Sequence, residues 1–370
     1  MFQVLFNSQI GTSAHSSLLA DPVLDPGEYG FVPTAGLTSG HQGCAGCGMV
    51  SGTNQVLRAL KLTGRFVLAS IGTGCNEVIT TQNTSCWGEV SVDHNNFPNT
   101  ASTLSGNRAA VQALTATGLI PADSVVNVGM AGDGGSYDIG LQALLAWIAR
   151  NEEGVYVCLN NEAYMNTGIQ SSGATPFGAK TATTPFGKRA QGNPRTPQHL
   201  PDLALAAGAP YAAVASPVHH RDLMIKAQKA ALIPGPCLLE SYSVCPPGWN
   251  TATDFFYEVT DLALRTGVLI LYEAELHRQE GYAIYTLSYV PDKFLPVEEY
   301  LKTQGRFRNL LKNPEMIERV QGWVDHRWEF WSEVLAHNGI RRPRFSGNGK
   351  RENQTGSEEA ISWAQSSATN

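Results

Sequence analysis

The chain has 370 residues, of which 42% are hydrophobic and 16% are charged, and its formal net charge is −6. Ordinary soluble domains carry about 25% charged residues, so this composition excludes a disordered or fibrous chain and allows a large core. The negative charge and the lack of a long basic run make nucleic acid an unsuitable partner. No apolar stretch is long enough to span a membrane, and the N-terminus has no basic segment of a secretory signal. We therefore expect a cytoplasmic protein without membrane insertion.

The charged residues are distributed unevenly along the chain. Residues 1–290 contain 35 of them, whereas the much shorter segment 291–353 contains 21. The surface of a monomer needs charge for solubility, so the first segment is expected to cover much of its exterior with other subunits. The composition therefore predicts an oligomer.

Hydrophobic periodicity and turn residues predict alternating helices and strands. The predicted helices lie at 51–62, 104–117, 138–150, 199–207, 219–232 and 252–265, and the predicted strands at 66–71, 125–131, 154–159, 211–215, 236–241 and 267–272. This alternation is typical of an α/β fold with a mainly parallel sheet and helices on both faces. Ligands of such sheets bind beyond the carboxyl ends of the strands.

Four regions are expected from the sequence. They are an N-terminal arm at 1–39, a cofactor-binding domain at 40–290, a helical C-terminal extension at 291–344 and a flexible tail at 345–370. The Gly-, Thr- and Pro-rich segment 165–197 is predicted to be a lid, a binding loop or an interface arm. An amphipathic helix near 314–336 is predicted to pack on the core or on a partner.

A glycine-rich turn with an aspartate follows the second predicted strand. It reads Gly132-Asp133-Gly134-Gly135, and Asn161 lies 28 residues after Asp133, beyond the next strand. A carboxylate and an amide at neighbouring strand ends can both bind Mg²⁺, and the glycines let a phosphate approach the backbone. This spacing resembles the signature of thiamine diphosphate enzymes, whereas a plain strand-to-helix turn is the alternative.

Four of the seven cysteines lie where strand ends and loops can bring them together. Cys44 and Cys47 form a C-x-x-C motif, Cys75 follows the first predicted strand, and Cys245 follows the strand at 236–241. Four thiolates suit a 4Fe-4S cluster or a structural zinc ion, and C-x-x-C alone also allows a redox disulfide. Cysteines within apolar strands, such as Cys158, are expected to be core thiols.

Five motifs in a fixed order resemble the β subunit of pyruvate:ferredoxin oxidoreductase. They are Gly43-Cys44-Ala45-Gly46-Cys47-Gly48, Gly72-Thr73-Gly74-Cys75, Gly132-Asp133-Gly134-Gly135-Ser136-Tyr137-Asp138-Ile139-Gly140, Asn161-Glu162-Ala163-Tyr164-Met165-Asn166-Thr167-Gly168-Ile169-Gln170 and Cys245-Pro246-Pro247-Gly248-Trp249. The C-terminal segments at 295–302 and 304–307 also resemble that subunit, so the likeness extends over about residues 40–310.

The resemblance implies the catalytic β subunit of a CoA-dependent 2-oxoacid:acceptor oxidoreductase. Such an enzyme decarboxylates a 2-oxoacid, forms an acyl-CoA and CO₂, and passes electrons through a 4Fe-4S cluster to ferredoxin or another acceptor. The implied cofactors are thiamine diphosphate, Mg²⁺ and the cluster. Pyruvate is the first-choice substrate, and an aryl 2-oxoacid such as phenylglyoxylate is the alternative.

The same resemblance assigns roles to individual residues. Asp133, Asn161 and the backbone carbonyl of Ala163 would bind Mg²⁺, and Cys44, Cys47, Cys75 and Cys245 would bind the cluster. Asn166 matches a catalytic position near the reacting carbon. Gly46, Cys47 and Gly132 to Gly135 would border the cofactor, together with Asn161, Ala163 and Asn166.

In this family a separate α subunit supplies the glutamate that activates the cofactor and the residues that bind the substrate carboxylate. No glutamate of this chain has a motif suited to that role, so the chain is expected to be inactive alone. The resemblance also implies a γ subunit and a ferredoxin-like δ subunit. Two other readings stay open, a non-oxidative thiamine enzyme with a structural zinc ion and a non-catalytic scaffold or electron-transfer subunit.

Overall fold

Strands and helices alternate along the described part of the chain, and the strands are more numerous than the sequence predicts. The structure, a computed structural model, describes residues 36–82, 85–277, 279 and 282–337. The predicted arm up to residue 35 and the predicted tail at 345–370 lie outside the described residues. The strands in the described part are β1 (Phe66–Gly72), β2 (Ser91–Asn95), β3 (Val125–Gly132), β4 (Gly154–Asn160), β5 (Tyr211–Ala215), β6 (Pro236–Tyr242), β7 (Tyr272–His277) and β8 (Tyr282–Leu287).

Along the chain, the helices precede, connect and follow these strands. They are α1 (Gly48–Lys61), α2 (Cys75–Thr80), α3 (Thr100–Ala116), α4 (Leu141–Ala149), α5 (Leu200–Ala207), α6 (His220–Leu232), α7 (Pro246–Trp249), α8 (Phe256–Arg265), α9 (Val297–Lys302) and α10 (Pro314–His337). A π-helical turn (Gly134–Ile139) precedes α4, and two 3₁₀ turns (Gly305–Phe307 and Leu310–Lys312) precede α10. Within the described residues, no helix combines the length and the apolar content that crossing a membrane requires.

The described strands form one mainly parallel sheet. Their order across the sheet is β2, β1, β3, β4, β6, β5, β7, β8. Strands β1 to β6 run parallel to their neighbours, whereas β7 is antiparallel to β5 and β8 is antiparallel to β7. The predicted α/β class with a mainly parallel sheet is confirmed.

Helices cover both faces of the sheet, because successive side chains of each strand point to opposite faces. On β4, Tyr156 and Cys158 join the core beneath α4, α8 and α10. Val155, Val157 and Leu159 of the same strand join the core beneath α1 and α6. All seven residues of β4 are buried, as expected for a central strand of a parallel sheet.

The predicted strand at 267–272 is wrong. Residues Leu269 to Leu271 are buried but irregular, and the strand begins at Tyr272. An apolar run predicts burial without deciding the backbone conformation, and Gly267 takes φ 76°, which ends the preceding helix. The polar, alternating sequence of β7 lies at the antiparallel side of the sheet. Strands β2 and β8 and helix α2 were not predicted.

The C-terminal helix α10 packs on the core of this chain, which is one of the two environments that the sequence predicts for it. Its buried side chains are Met316, Val320, Val324, Trp328 and Trp331, which recur at spacings of three and four residues. The Trp328 indole Nε1 donates a hydrogen bond of 2.9 Å to the carbonyl of Gly267. The helix therefore closes the face of the sheet that carries α4 and α8.

Replacing Trp328 by Ala tests how much this helix contributes to stability. The side chain is 1% exposed and its ring centroid lies 4.8 Å from that of Phe294. Removing a buried aromatic side chain leaves a cavity and typically costs about 3–5 kcal/mol. We expect a loss of this size in urea unfolding of the purified protein, whereas His326→Ala on the exposed face of the helix should change little. A loss below about 1 kcal/mol would contradict the packing described.

Candidate functional site

The segments that carry the predicted site residues meet at one edge of the sheet. Strands β1, β3, β4 and β6 are consecutive neighbours and run parallel. Cys75, Asp133, Asn161 and Cys245 each follow the carboxyl end of one of these strands. This is the edge where α/β sheets bind ligands. The structure therefore brings the predicted cation-binding residues and two of the four predicted cysteines to the same edge.

Asp133 is completely buried between β3 and the π-helical turn. Its Oδ1 accepts a hydrogen bond from the Asn161 backbone N–H at 3.2 Å, and its Oδ2 accepts one from the Ser172 hydroxyl. Burial raises the pKa of Asp133 to about 8, although both hydrogen bonds oppose the rise. A divalent cation at this position would favour the ionised carboxylate and reverse the shift.

The side-chain amide of Asn161 lies between Asp133 and Ala163. One end of this amide is 2.9 Å from Asp133 Oδ1 and 2.9 Å from the carbonyl oxygen of Ala163, and the amide nitrogen in this place donates a hydrogen bond to each. Turned over, the amide would present its oxygen there, and carboxylate, amide and carbonyl oxygens are the ligands that Mg²⁺ takes. The residue types present therefore fit a hard divalent cation.

The glycines beside Asp133 keep the backbone accessible. A Cβ on Gly134 would lie 2.4 Å from the ring of Tyr164, so no larger residue fits without moving that ring. A Cβ on Gly132 would meet no atom within 4 Å, and one on Gly135 would meet atoms at 3.4 Å. Gly134 begins the π-helical turn, a form frequent at functional sites. These residues fit the close approach of a phosphate group.

A tight turn places Cys44 beside Cys47. The Cys47 N–H donates to the Cys44 carbonyl at 3.1 Å, and Gly46 between them takes φ 73°. A Cβ on Gly46 would lie 2.2 Å from the carbonyl oxygen of Thr253, so glycine is required for both reasons.

Backbone contacts then join this turn to the segment around Cys245. The Gly48 N–H, at the start of α1, donates to the Val244 carbonyl at 3.0 Å. The turn that carries the C-x-x-C motif thus lies against the loop that carries the fourth predicted cysteine.

The four predicted cysteines influence one another electrostatically. Cys44 is exposed, and the other three are partly buried. Burial raises the pKa of Cys75 to about 11 and that of Cys245 to about 12, and the charge of Cys47 adds to both rises. Within the described residues, no set of three or more His, Cys, Asp or Glu side chains is close enough to hold a metal ion. The thiols therefore share one corner without standing at ligand distance.

Four thiols at a shared corner fit an iron-sulfur cluster or a zinc ion in their donor chemistry. A bound metal would deprotonate the thiols that burial keeps neutral. Cys158 and Cys237 are fully buried in strands β4 and β6 and take no part in this corner, as the sequence predicts.

Asn166 lies at the end of the proposed cation-binding loop, residues 161–166 after β4. It also lies beside the cysteine corner, which is the set of Cys44, Cys47, Cys75 and Cys245. Its side chain is hydrogen-bonded to the Cys75 thiol and lowers the pKa of that thiol against the larger effect of burial. The residue itself is exposed. The structure thus places Asn166 where it can reach a ligand bound between Asp133 and Cys75.

Four further residues complete the site but carry no sequence pattern of their own. Ser172 reaches Asp133 from the long loop, and Glu162 forms an ion pair with Arg306. The indole Nε1 of Trp249 donates to the carbonyl of Asn161 at 2.8 Å. Glu162, Trp249 and Arg306 lie within segments that resemble the family, and this was the only signal that could have found them.

Comparison with known proteins identifies the class. Residues 72–241 match the family model described as thiamine pyrophosphate enzyme, C-terminal TPP binding domain. The chain is 38% identical over 298 residues to the pyruvate synthase subunit PorB of Thermotoga maritima, covering 80% of this chain and 90% of that protein. It is 42% identical over 289 residues to PorB of Methanothermobacter thermautotrophicus, covering 78% and 94%. It is also 38% identical over 291 residues to the ketoisovalerate oxidoreductase subunit VorB of Pyrococcus horikoshii, covering 79% and 90%.

The fold and the family model define a thiamine diphosphate-binding protein, and its relatives are subunits of oxidoreductases. The chain belongs to the family of β subunits of 2-oxoacid:ferredoxin oxidoreductases. The resemblance found in the sequence is thereby confirmed.

Replacing Gly134 by Ala tests the close packing of the turn. The added methyl group would overlap the ring of Tyr164, and overpacking typically costs about 1–3 kcal/mol. Gly106 in helix α3 is the matched control, because a Cβ there meets no atom within 4 Å. Gly106→Ala should stabilise the protein by about 0.5–1 kcal/mol through helix propensity. Equal effects of the two substitutions in thermal unfolding would contradict the packing at Gly134.

Proposed function

We propose that this chain is the catalytic β subunit of a CoA-dependent 2-oxoacid:acceptor oxidoreductase, with pyruvate as the first-choice substrate. The observation that carries the proposal is that the Asp133 carboxylate, the Asn161 amide and the Ala163 carbonyl meet at the sheet edge where Cys75 and Cys245 lie and which the C-x-x-C turn joins. A cation site alone would suit any thiamine enzyme. Four thiols beside it favour one that also transfers electrons.

The residues of this chain would bind and orient the cofactor. Asp133, Asn161 and the Ala163 carbonyl would hold Mg²⁺, whose remaining positions would accept diphosphate oxygens. The glycines from Gly132 to Gly135, together with Gly46 and Cys47, would border the cofactor without obstructing it. When bound, thiamine diphosphate supplies the electron sink for the loss of CO₂ from a 2-oxoacid.

Asn166 is the proposed catalytic residue. Its exposed amide stands beside Cys75 and at the end of the cation-binding loop. An amide in this place can donate a hydrogen bond to oxygen that becomes negatively charged during the reaction. Because Asn166 also contacts the Cys75 thiol, the same side chain borders both proposed cofactors.

Cys44, Cys47, Cys75 and Cys245 would hold the 4Fe-4S cluster. Such a cluster accepts electrons one at a time and passes them to ferredoxin or another acceptor. Burial raises the pKa of Cys75 to about 11 and that of Cys245 to about 12, so a bound metal would favour the thiolate form that burial opposes.

The structure gives a reason for a partner subunit. Thiamine enzymes need a carboxylate that activates the cofactor, and Glu162 is the acidic residue beside the cation site in sequence. Its carboxylate is committed to the buried ion pair with Arg306. We therefore assign the activating glutamate and the substrate-binding residues to an α subunit, with γ and ferredoxin-like δ subunits completing a cytoplasmic complex. In this chain, 40–290 would form the cofactor-binding domain and 291–344 the helical extension.

The relatives suggest a second substrate. Relatives named pyruvate synthase subunit PorB are 38% and 42% identical to this chain, and a relative named ketoisovalerate oxidoreductase subunit VorB is 38% identical. A branched 2-oxoacid is therefore the second candidate, ahead of an aryl 2-oxoacid such as phenylglyoxylate. Comparing kcat/KM for pyruvate, 2-ketoisovalerate and phenylglyoxylate in the assembled complex decides the choice, and a tenfold preference for either alternative would overturn pyruvate.

Asp133→Ala tests the cation site. We expect it to abolish Mg²⁺-dependent binding of thiamine diphosphate to the assembled complex while the iron content stays unchanged. Asp222→Ala is the control, because Asp222 also bonds to a buried group, Lys226, but on helix α6 away from the site. Isothermal titration measures both. Unchanged cofactor affinity in Asp133→Ala would contradict the metal assignment.

Cys245→Ser tests the cysteine corner. We expect loss of cluster iron or conversion to a labile cluster, measured by iron analysis and EPR on anaerobically purified complex. Cys237→Ser is the matched control, since Cys237 is buried in β6 and outside the proposed ligand set. A full complement of iron in Cys245→Ser would show that another residue is the fourth ligand.

Two other assignments give different results in the same experiments. A non-oxidative thiamine enzyme with structural zinc would contain zinc and no iron. A scaffold subunit would show no Mg²⁺-dependent cofactor binding when paired with its partner. The buried Asp133 carboxylate, with the Asn161 amide and the Ala163 carbonyl beside it, favours a cofactor-binding subunit over the scaffold.

A further inference from the structure

A buried arginine links the cation-binding loop to the helix that follows Cys245. Arg306 lies in the 3₁₀ turn before α10 and is only 5% exposed. It forms an ion pair with Glu162, 144 positions earlier in the chain. Its guanidinium carbon also lies 4.1 Å from the centre of the Trp249 ring. One side chain from the C-terminal extension therefore touches both of these segments.

Glu162 stands between two of the proposed Mg²⁺ ligands, Asn161 and Ala163. Its φ of 66° lies in the left-handed region, which costs energy for a residue other than glycine. The Glu162 N–H donates to Asn160 Oδ1 at 2.9 Å, and its carbonyl accepts from Thr175 at 2.7 Å. The ion pair with Arg306 fixes the side chain of this strained residue. It thereby helps to fix the positions of its two neighbours, Asn161 and Ala163.

Trp249 reaches the same loop from the other side. It ends helix α7, which begins directly after Cys245, and its N–H donates to the Cys245 carbonyl at 2.9 Å. Its indole Nε1 donates to the carbonyl of Asn161. The guanidinium stacked on this ring holds the indole where that hydrogen bond can form.

The contacts require a guanidinium group. Arg306 uses its plane against Trp249, its Nη2 toward Glu162 and its Nε toward Gln304 Oε1, 2.9 Å away. A planar group with several fixed donors can satisfy all three at once, whereas an ammonium group has no face to stack. A buried charge also needs a paired partner, so Arg306 and Glu162 depend on each other.

We propose that Arg306 is a positioning residue. Through Glu162 and Trp249 it holds the cation-binding loop and helix α7, which follows Cys245, in a fixed relative position. It contacts neither proposed cofactor. The inference rests on the proposed function, since it assigns Mg²⁺ to the loop and a cluster cysteine to the helix. Its consequence is that one side chain outside the cofactor-binding residues sets both cofactor affinity and cluster environment.

The test uses the assembled complex, purified anaerobically, with Arg306→Met compared with Lys229→Met. Lys229 and Glu273 form a similarly buried ion pair, between α6 and β7, away from the loop. Loss of stability alone should therefore affect both variants alike. The readouts are the Kd for thiamine diphosphate with Mg²⁺, from titration calorimetry, and the EPR signal of the dithionite-reduced cluster.

Substitution of groups that orient metal ligands typically weakens metal binding by about 10–100-fold. We expect Arg306→Met to raise the Kd by this factor and to change the EPR signal, whereas Lys229→Met should leave both at wild-type values. Compared with Arg306→Met, Arg306→Lys should restore stability more fully than cofactor affinity, because an ammonium group keeps the charge but has no face to stack on Trp249. Equal Kd values and equal spectra for Arg306→Met and Lys229→Met would overturn the proposal.

Trp249→Phe tests the same proposal if the complex that contains Arg306→Met does not assemble. This change retains a ring beneath the guanidinium but removes the N–H that bonds to Asn161. A tenfold or larger rise in Kd is expected, and wild-type affinity in Trp249→Phe would overturn the proposal. If the wild-type complex itself showed no Mg²⁺-dependent binding, the proposed function would fail, and that result is distinguishable from the others.

Discussion

Burial of the Asp133 carboxylate is the constraint on which the site depends. In the described part of the chain, it accepts hydrogen bonds from neutral groups, the Asn161 N–H and the Ser172 hydroxyl. A buried carboxylate without a cation is costly, and the pKa of Asp133 is accordingly raised to about 8. The Asn161 side-chain amide and the Ala163 carbonyl lie beside this carboxylate, so three groups that can supply oxygen ligands meet at one point.

The sheet topology explains why the cysteines lie beside this point. Strands β1, β3, β4 and β6 are adjacent and parallel, so the loops after them share one edge. Asp133 and Asn161 follow the two middle strands, and Cys75 and Cys245 follow the two outer ones. The C-x-x-C turn joins them through the hydrogen bond between Gly48 and Val244. One strand order thus brings the proposed cation-binding residues close to the four thiols.

The sequence predicted those parts of the site that depend on local pattern. The glycines around Asp133, and the position of Asn161 after the next buried strand, are readable because strand ends in parallel sheets coincide. The partners of Glu162 were not readable, since Arg306 is 144 positions away and no local pattern links two such residues. Ser172 lies in a loop without periodicity, and its contact with Asp133 depends on the path of that loop.

The fold shows the same division between local and distant information. Long, strongly apolar strands such as β3 and β4 were predicted to within one residue. The apolar run at 267–272 was assigned to a strand because burial and strand formation give the same signal in a short segment. The strand that pairs with β5 is instead Tyr272–His277, where Glu273 bonds to Tyr211 and Lys229. Those partners come from other elements and leave no trace in the local sequence.

The central claim is that this chain combines a thiamine diphosphate site with an electron-accepting cluster. Metal analysis and low-temperature EPR of the anaerobically purified complex, before and after addition of pyruvate and coenzyme A, test it most directly. The account predicts about four irons per chain and a cluster signal that appears on reduction by the substrate. One zinc per chain, no iron and no substrate-dependent signal would contradict it.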